Sequence, residues 1–304
     1  MSKKKLKIFF TGFWPNFKEY DNYFYNLLSL KYDLEINNST PDVLFHSADY
    51  SESENHKNFD NGYTKKIFYT GENINPNFEE TDFSLSFKNN LGDKNYRLPL
   101  WVLFINWFNV EEDYTRDQSY LINPDTLIKK NKNILENYLF CSFVASKPTG
   151  KRLEFVPKLN DIKKVHCGGS LYNNTYYPLK GRGDQKHKLN FLKLFKFNIA
   201  FENSNSHGYV TEKVLHSLYT NSIPIYWGSD FVKQDFNKDK IIYYEDFEND
   251  DHLIDKIMEV NSSKKQLKEY FDQPIFYNNV FPEYVLQENI LDFLTDAIEK
   301  WKII

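Results

Sequence analysis

The stretch FENSNSHGYVTEKVLHSLY, residues 201–219, follows directly on the apolar run KFNIA at 196–200. An apolar run that breaks into a polar loop (Glu202, Asn203, Ser204, Asn205, Ser206, His207, Gly208) and then into helical periodicity from Thr211 reads as strand, loop and helix start. In a parallel α/β sheet such a loop lies in the crevice at the carboxyl end of its strand, where open sheets bind ligands. The helix N-terminus would point backbone N–H groups and the positive end of its dipole at an anion, and Lys213 in the first turn adds a full charge. A diphosphate suits that arrangement.

The same alternation runs along all 304 residues. Runs rich in β-branched and aromatic residues predict strands at 6–10, 42–45, 66–70 and 83–87, with a helix over 20–30. Further on, strands at 139–145, 163–166, 197–201, 223–226 and 240–244 interleave with helices at 151–159, 186–195, 211–219 and 250–260. Strands interleaved with helices predict an α/β protein with parallel sheets. A polar stretch over 109–132, carrying Glu111, Glu112 and Asp113 and a turn or helix start at Asn123 and Pro124, separates the halves. It places a first domain at 1–125 and a second at 126–281, with a last helix in 282–304 that is expected to pack back on the first. The polar loop 49–61 reads either as a solvated connector or as a loop that meets an acceptor.

Composition excludes several classes. The 27 Phe, 22 Tyr and 5 Trp supply large burial per residue and argue against disorder. A net charge of −4, with both signs interspersed, gives no reason to expect nucleic acid or an anionic membrane as partner. The two cysteines, Cys141 and Cys167, form no CxxC pair, so neither a disulfide framework nor structural zinc is expected. The basic start MSKKKLKIFF meets Thr11 and Gly12 within a few residues, too soon for a signal sequence, and the apolar run 98–105 is far below the roughly 20 residues of a spanning helix. A cytoplasmic protein is expected, either free or peripheral at the inner face of the membrane. GxxxxGK[ST], GxGxxG and HExxH are absent, and no two aspartates stand two apart, so a mechanism without an essential divalent ion is favoured.

Other positions each allow two readings. Arg152, after the strand 139–145, is a surface arginine or a bidentate phosphate ligand. Glu212 serves helix capping, or accepts hydrogen bonds from ribose hydroxyls. Tyr209 is core or a phosphate-facing hydroxyl. Glu72, on the tight loop after the strand 66–70, is a turn residue or a general base. Phe13, Trp14 and Phe17 are core, or stack on a sugar face.

Five segments in order, FYTGEN (68–73), SFVAS (142–146), KFNIAFEN (196–203), GYVTEK (208–213) and IPIYWGS (223–229), resemble the α1,3/α1,4-fucosyltransferase family, particularly its bacterial members related to the Helicobacter enzymes. The resemblance runs from about residue 6 to 247. It implies a GT-B architecture, two Rossmann-like domains facing across a cleft, the first binding the acceptor and the second GDP-fucose. The implied reaction is inverting transfer of L-fucose from GDP-fucose to the 3-OH or 4-OH of N-acetylglucosamine, in a glycan such as N-acetyllactosamine, in lipopolysaccharide O-antigen or Lewis-type glycan synthesis. By motif position Glu72 would be the general base; Arg152 and Lys213 would hold the diphosphate, with Asn203 and Tyr209 near it and Glu212 at the ribose. Trp14 and Phe13 are the acceptor-side candidates. An inverting transferase using another nucleotide sugar, or a relative that binds glycan or nucleotide without turnover, are the alternatives. The chain shows neither the N-terminal anchor of animal and plant members nor the heptad repeats and basic tail of many Helicobacter relatives, which argues against membrane attachment and repeat-mediated dimerisation.

Overall fold

The computed structural model describes residues 2–15, 17–48, 55–111, 121–129, 139–176, 179 and 185–299. Parts of the polar stretches singled out above (49–54, 112–120 and 130–132) lie outside them, as does Asn16. The chain forms two compact units: Met1–Leu103, Trp107–Val110 and Glu283–Ile304 make the first, and Phe104–Asn106 with Glu111–Pro282 the second.

In the first unit β1 (Lys4–Thr11), β2 (Tyr32–Ile36), β3 (Val43–His46), β4 (Lys65–Tyr69), β5 (Phe83–Ser86) and β6 (Asn95–Arg97) form one sheet in the order β2-β1-β3-β4-β5-β6, parallel throughout. The inner strands β3 and β5 are buried along their whole length, as a parallel sheet covered on both faces requires. Helix α1 (Tyr23–Ser29) starts three residues later than the apolar spacing predicts. Asn22 is the reason: its side chain accepts from the Tyr25 amide at 2.9 Å while donating to the Lys18 and Glu19 carbonyls, so 18–22 is a capping turn. Strand β2 is absent from the sequence expectations; its alternating Tyr32, Leu34, Ile36 and exposed Asp33, Glu35 belong to an edge strand.

The second unit opens with the short α2 (Pro124–Ile128), capped by Asn123. Then β7 (Leu139–Phe143), α3 (Arg152–Ile162), β8 (Val165–Cys167), α4 (Gln185–Leu192), β9 (Phe195–Ile199), α5 (Glu212–Tyr219), β10 (Ile223–Tyr226), α6 (Val232–Asp235), β11 (Ile242–Tyr243), α7 (Asp250–Ser262) and α8 (Lys264–Asp272) follow. The sheet order is β11-β10-β9-β7-β8, again parallel throughout. Strands β7 and β9 end two residues before the apolar runs do, which leaves Val144–Ala145 and Ala200–Phe201 to the loops above the sheet. Helix α8, also absent from the expectations, starts where Ser263 closes α7 and its hydroxyl accepts the Gln266 amide at 3.2 Å. The last helix, α9 (Gln287–Glu299), belongs to the first unit: Phe293 packs on Phe83 and Tyr96, and the Tyr32 hydroxyl donates to Glu299 at 2.9 Å.

Both sheets share one topology. From its first strand the chain steps out to an edge strand (β2, β8) and returns past the first to lay down the third (β3, β9). The loops leaving β1 and β3, or β7 and β9, therefore diverge to opposite faces and open a crevice at their carboxyl ends, the place where doubly wound sheets bind ligands. Two such Rossmann-like units constitute the two-domain α/β architecture of the GT-B type.

Candidate functional site

A cavity of about 470 Å³ lies at the β7/β9 crevice of the second unit. Its walls come from the loop after β7 (Ala145, Ser146, Lys147), the turn after β8 (Gly169, Ser170) and the loop after β9 (Asn203). Helices supply the rest: Arg152 from α3, Gln185 and Lys188 from α4, Glu212 and Lys213 from α5. Four cationic side chains thus face one carboxylate, in a chain whose net charge is −4.

Backbone geometry brings these loops together. The Ala200 and Glu202 amides donate to the Ile225 and Trp227 carbonyls at 2.8 and 2.9 Å, prolonging the β9–β10 pairing beyond the strands. A Cβ on Gly169 would lie 2.2 Å from the Ala145 carbonyl oxygen, so only glycine lets the turn after β8 press against the loop after β7. Below the cavity the Ser142 hydroxyl meets the Asn198 amide oxygen (3.0 Å), Asn198 donates to the Ser217 hydroxyl (2.7 Å), and Ser217 donates to the Lys213 carbonyl (2.9 Å). That buried polar chain fixes the first turn of α5 against both strands.

The two cations predicted from sequence are held by protein partners. Arg152 is 1% exposed; its Nε and Nη2 donate to the Phe201 carbonyl (3.3 and 2.7 Å) and Nη1 to the Lys147 carbonyl (3.2 Å), which aligns the guanidinium plane with the crevice. Lys213 Nζ donates to Glu202 Oε2 at 2.9 Å and to the Thr211 hydroxyl at 2.8 Å. Glu202 is fully buried and also accepts from the Thr211 amide at 2.8 Å, so this carboxylate already occupies the start of α5 where the sequence places a ligand anion. Burial works against the Lys213 charge, but Glu202 and then Glu212 outweigh it and hold its pKa above the ordinary lysine value.

Glu212 Oε1 lies between two ammonium groups, Lys188 Nζ at 3.7 Å and Lys213 Nζ at 4.0 Å. Burial alone would push its pKa up; Lys213, Lys188 and His216 together reverse this and hold the carboxyl well below the usual carboxylate range. It is an anion at any physiological pH, fit to accept hydroxyl donors. Burial keeps His216 neutral, its ring edge-on to Phe104.

Of the residues predicted for the donor, the fold brings Arg152, Asn203, Glu212 and Lys213 to one cavity. Tyr209 is 1% exposed and outside the lining; its amide donates to the Ser206 carbonyl and its own carbonyl accepts from the Tyr226 hydroxyl, which pins the loop after β9. Lys188, Gln185 and Glu202 carry no assignment in the sequence reading. A carboxylate directly after an apolar strand was the one available signal for Glu202. Lys188 meets Glu212 only through the fold.

In the first unit Glu72 stands half-buried on the turn after β4, with its amide donating to the Thr70 hydroxyl at 3.1 Å. Gly71 before it packs on Leu100, 3.1 Å from where a Cβ would sit. After β1, Phe13 is buried and stacks on Phe17 at 4.2 Å, while Trp14 is half-buried and edge-on to both. Among the described residues no group of three or more His, Cys, Asp or Glu is placed to hold a metal ion, and no helix is long and apolar enough to cross a membrane.

The model of the α-(1,3)-fucosyltransferase N-terminal domain matches residues 8–104, and that of the C-terminal part of glycosyltransferase family 10 (fucosyltransferase) matches 129–287, which contains the whole cavity. An α-(1,3)-fucosyltransferase of Helicobacter pylori is 30% identical over 92% of this chain and 64% of its own length. A putative fucosyltransferase of Acanthamoeba polyphaga mimivirus is 36% identical over 50% of this chain and 26% of its own. The chain thus spans under two thirds of either relative. Crystal structures of an α1,3-fucosyltransferase with GDP (TM-score 0.73, 26% identity, 99% of this chain and 92% of that one) and with GDP-fucose (TM-score 0.73, 27% identity, 100% and 93%) share the fold. With both halves matched in order, the chain belongs to glycosyltransferase family 10, the fucosyltransferases.

Proposed function

We propose that this protein is an inverting, GDP-fucose-dependent α1,3-fucosyltransferase acting on the 3-OH, or the 4-OH, of N-acetylglucosamine in a glycan such as N-acetyllactosamine, in lipopolysaccharide O-antigen or Lewis-type glycan synthesis. The observation that carries the reading is the cavity at the β7/β9 crevice, with four cations and one carboxylate inside the segment that matches the family. A sugar nucleotide presents the complement: a diphosphate for Arg152 and Lys213, with Asn203 beside it, and ribose hydroxyls for Glu212, while the buried Tyr209 acts from outside the cavity by pinning the loop after β9.

The acceptor oxygen attacks the anomeric carbon opposite GDP; the carbon–oxygen bond to the β-phosphate breaks, its electron pair leaves with GDP, and the acceptor proton passes to the Glu72 carboxylate. Charge grows on the leaving phosphate as that bond breaks, so preplaced cations stabilise the transition state more than the ground state. Arg152, fixed on two carbonyls, and Lys213, fixed on Glu202, need no reorganisation at that moment. These cations supply the stabilisation that a divalent ion provides in other sugar-nucleotide enzymes, and no such ion is required here. Trp14, propped by Phe13 and Phe17, offers a ring face to the acceptor sugar.

The test is GDP release from GDP-fucose in EDTA, with and without N-acetyllactosamine, for wild type and Glu72→Gln. Acceptor-dependent release that disappears in the variant is the expected result. Release that needs a divalent ion, or persists in Glu72→Gln, refutes the corresponding part; GDP bound without turnover points to another sugar donor or acceptor, or to a non-catalytic relative.

A further inference from the structure

The two cations assigned to the diphosphate are both engaged by protein groups. Three Arg152 N–H groups hold main-chain carbonyls, and Lys213 holds Glu202 and Thr211 within 2.9 Å. Lys188 differs. It lines the same cavity from α4, its side chain is 17% exposed, and among the described residues its one ion-pair partner is Glu212 Oε1, at 3.7 Å and beyond direct hydrogen-bond length. That oxygen is shared with Lys213, so a carboxylate oxygen sits between two ammonium groups. If ribose hydroxyls donate to Glu212, the carboxylate divides its charge among more donors, and Lys188 is left half-buried with little else to balance it. A lysine ammonium on a four-carbon stem can follow a nearby anion, which a guanidinium fixed on carbonyls cannot.

We infer that Lys188 is a third cation for the sugar nucleotide: its ammonium, held in reserve on Glu212, contacts the diphosphate and supports the charge that develops on the departing nucleotide. This inference rests on the donor reading above and extends it to a residue outside the five short motifs quoted from the sequence. It also gives Glu212 a second role, as the shared counter-charge of two ammonium groups.

The test compares wild type with Lys188→Met for affinity toward GDP, inorganic pyrophosphate and guanosine, by calorimetry or competition. The expected result is that GDP and pyrophosphate both weaken about 10- to 100-fold, the size of one charge-assisted hydrogen bond, with guanosine unchanged. Lys188→Arg, which keeps the charge, is expected to retain most pyrophosphate affinity. Weakening of GDP and guanosine with pyrophosphate unaffected would mean that Lys188 only orients Glu212 at the ribose, and overturns the inference. So does an unchanged affinity for all three. If Lys188→Met does not fold, Lys188→Gln, of similar length and uncharged, makes the same comparison. Wild type that fails to bind GDP refutes the donor reading itself, whereas wild-type binding with an unaffected variant refutes Lys188 alone.

Discussion

Truncating Lys213 to alanine separates what this side chain does for the fold from what it does for the reaction. At 2.9 Å from Glu202 Oε2, the ion pair has a Coulomb energy of about 6 kcal/mol at an effective dielectric of 20, less what solvent removes through the 19% of the lysine side chain that it reaches. Glu202 has no exposed surface, so the variant leaves its carboxylate buried, still accepting from the Thr211 amide and hydroxyl but without its cation. Breaking such a pair from one side costs about 3–5 kcal/mol. For a unit of this size that lowers the melting temperature by roughly 6–20 °C. Changing Glu202 to glutamine as well removes the orphaned charge and keeps an acceptor for the Thr211 amide, so the double variant recovers most of the lost stability. Activity behaves differently: both variants lack the ammonium, and kcat falls about 10²- to 10³-fold in each. Urea unfolding and GDP release, run on the same samples, read the two effects. A Lys213→Ala protein within about 1 kcal/mol of wild type, or a double variant as unstable as the sum of its singles, refutes the buried-pair argument. Recovery of turnover with stability in the double variant refutes the catalytic one.

Two further outcomes follow from the geometry. Gly169→Ala places a methyl 2.2 Å from the Ala145 carbonyl oxygen, a backbone atom that cannot turn aside; GDP affinity is expected to fall by at least about 10-fold along with a lower melting temperature, checked by calorimetry and thermal unfolding, and wild-type affinity counts against the close approach. In the first unit His46 at the end of β3 is 4% exposed, stacked on His56 at 4.5 Å, with both ring nitrogens lacking hydrogen-bond partners. Burial, then His56 and Lys66, press its pKa down to about 3 against the opposing pull of Asp60, so the fold holds the neutral ring. The unfolded chain takes up a proton near pH 6.5 and the folded chain does not, so this contribution is complete above that pH and declines as pH falls toward 3. Urea unfolding at pH 7.5 and 5 should show an acid loss of about 2 kcal/mol that His46→Leu abolishes; an unchanged loss in the variant rules His46 out as its source.

What could be read from the sequence was local. The segment 196–219 places a strand, a loop and a helix within 24 residues, and its charged members Glu212 and Lys213 fall in one cavity with Arg152 because all three follow strands next to the crevice. Tyr209 lies in the same motif yet packs inward, since a motif states order along the chain and not which face a loop residue turns to the core. Lys188 could not be found this way. It stands 24 residues from Glu212, on a helix whose pattern resembles any solvated amphipathic segment, and the fold alone makes the contact. Strand β2 was hidden for a related reason: the alternation Tyr32-Asp33-Leu34-Glu35-Ile36 is the signature of an edge strand, whereas the reading favoured continuous apolar runs, which mark inner parallel strands.

The two crevices are built from one topology and opposite chemistry. Above β7 and β9 the fold places Arg152, Lys188 and Lys213 against acceptors that the protein supplies: main-chain carbonyls, Glu202 and Glu212. Above β1 and β3 it places aromatic rings, Phe13, Trp14 and Phe17, and an uncharged histidine. An anion with a polar ring attached suits the first, and a neutral polyol with an apolar face suits the second. Because Glu202 is sealed beneath Thr211 and Lys213 whereas Glu212 lines the cavity, the two adjacent carboxylates have different tasks: one holds a cation in place permanently, and the other can exchange cation contacts for ligand hydroxyls. The difference predicts distinct signatures for their amides. Glu202→Gln should act mainly through Lys213 and stability, whereas Glu212→Gln, which also removes the shared counter-charge of Lys188 and Lys213 and so lowers the melting temperature, should weaken GDP and guanosine without weakening inorganic pyrophosphate; loss of pyrophosphate affinity in Glu212→Gln would contradict the assignment of this carboxylate to the ribose.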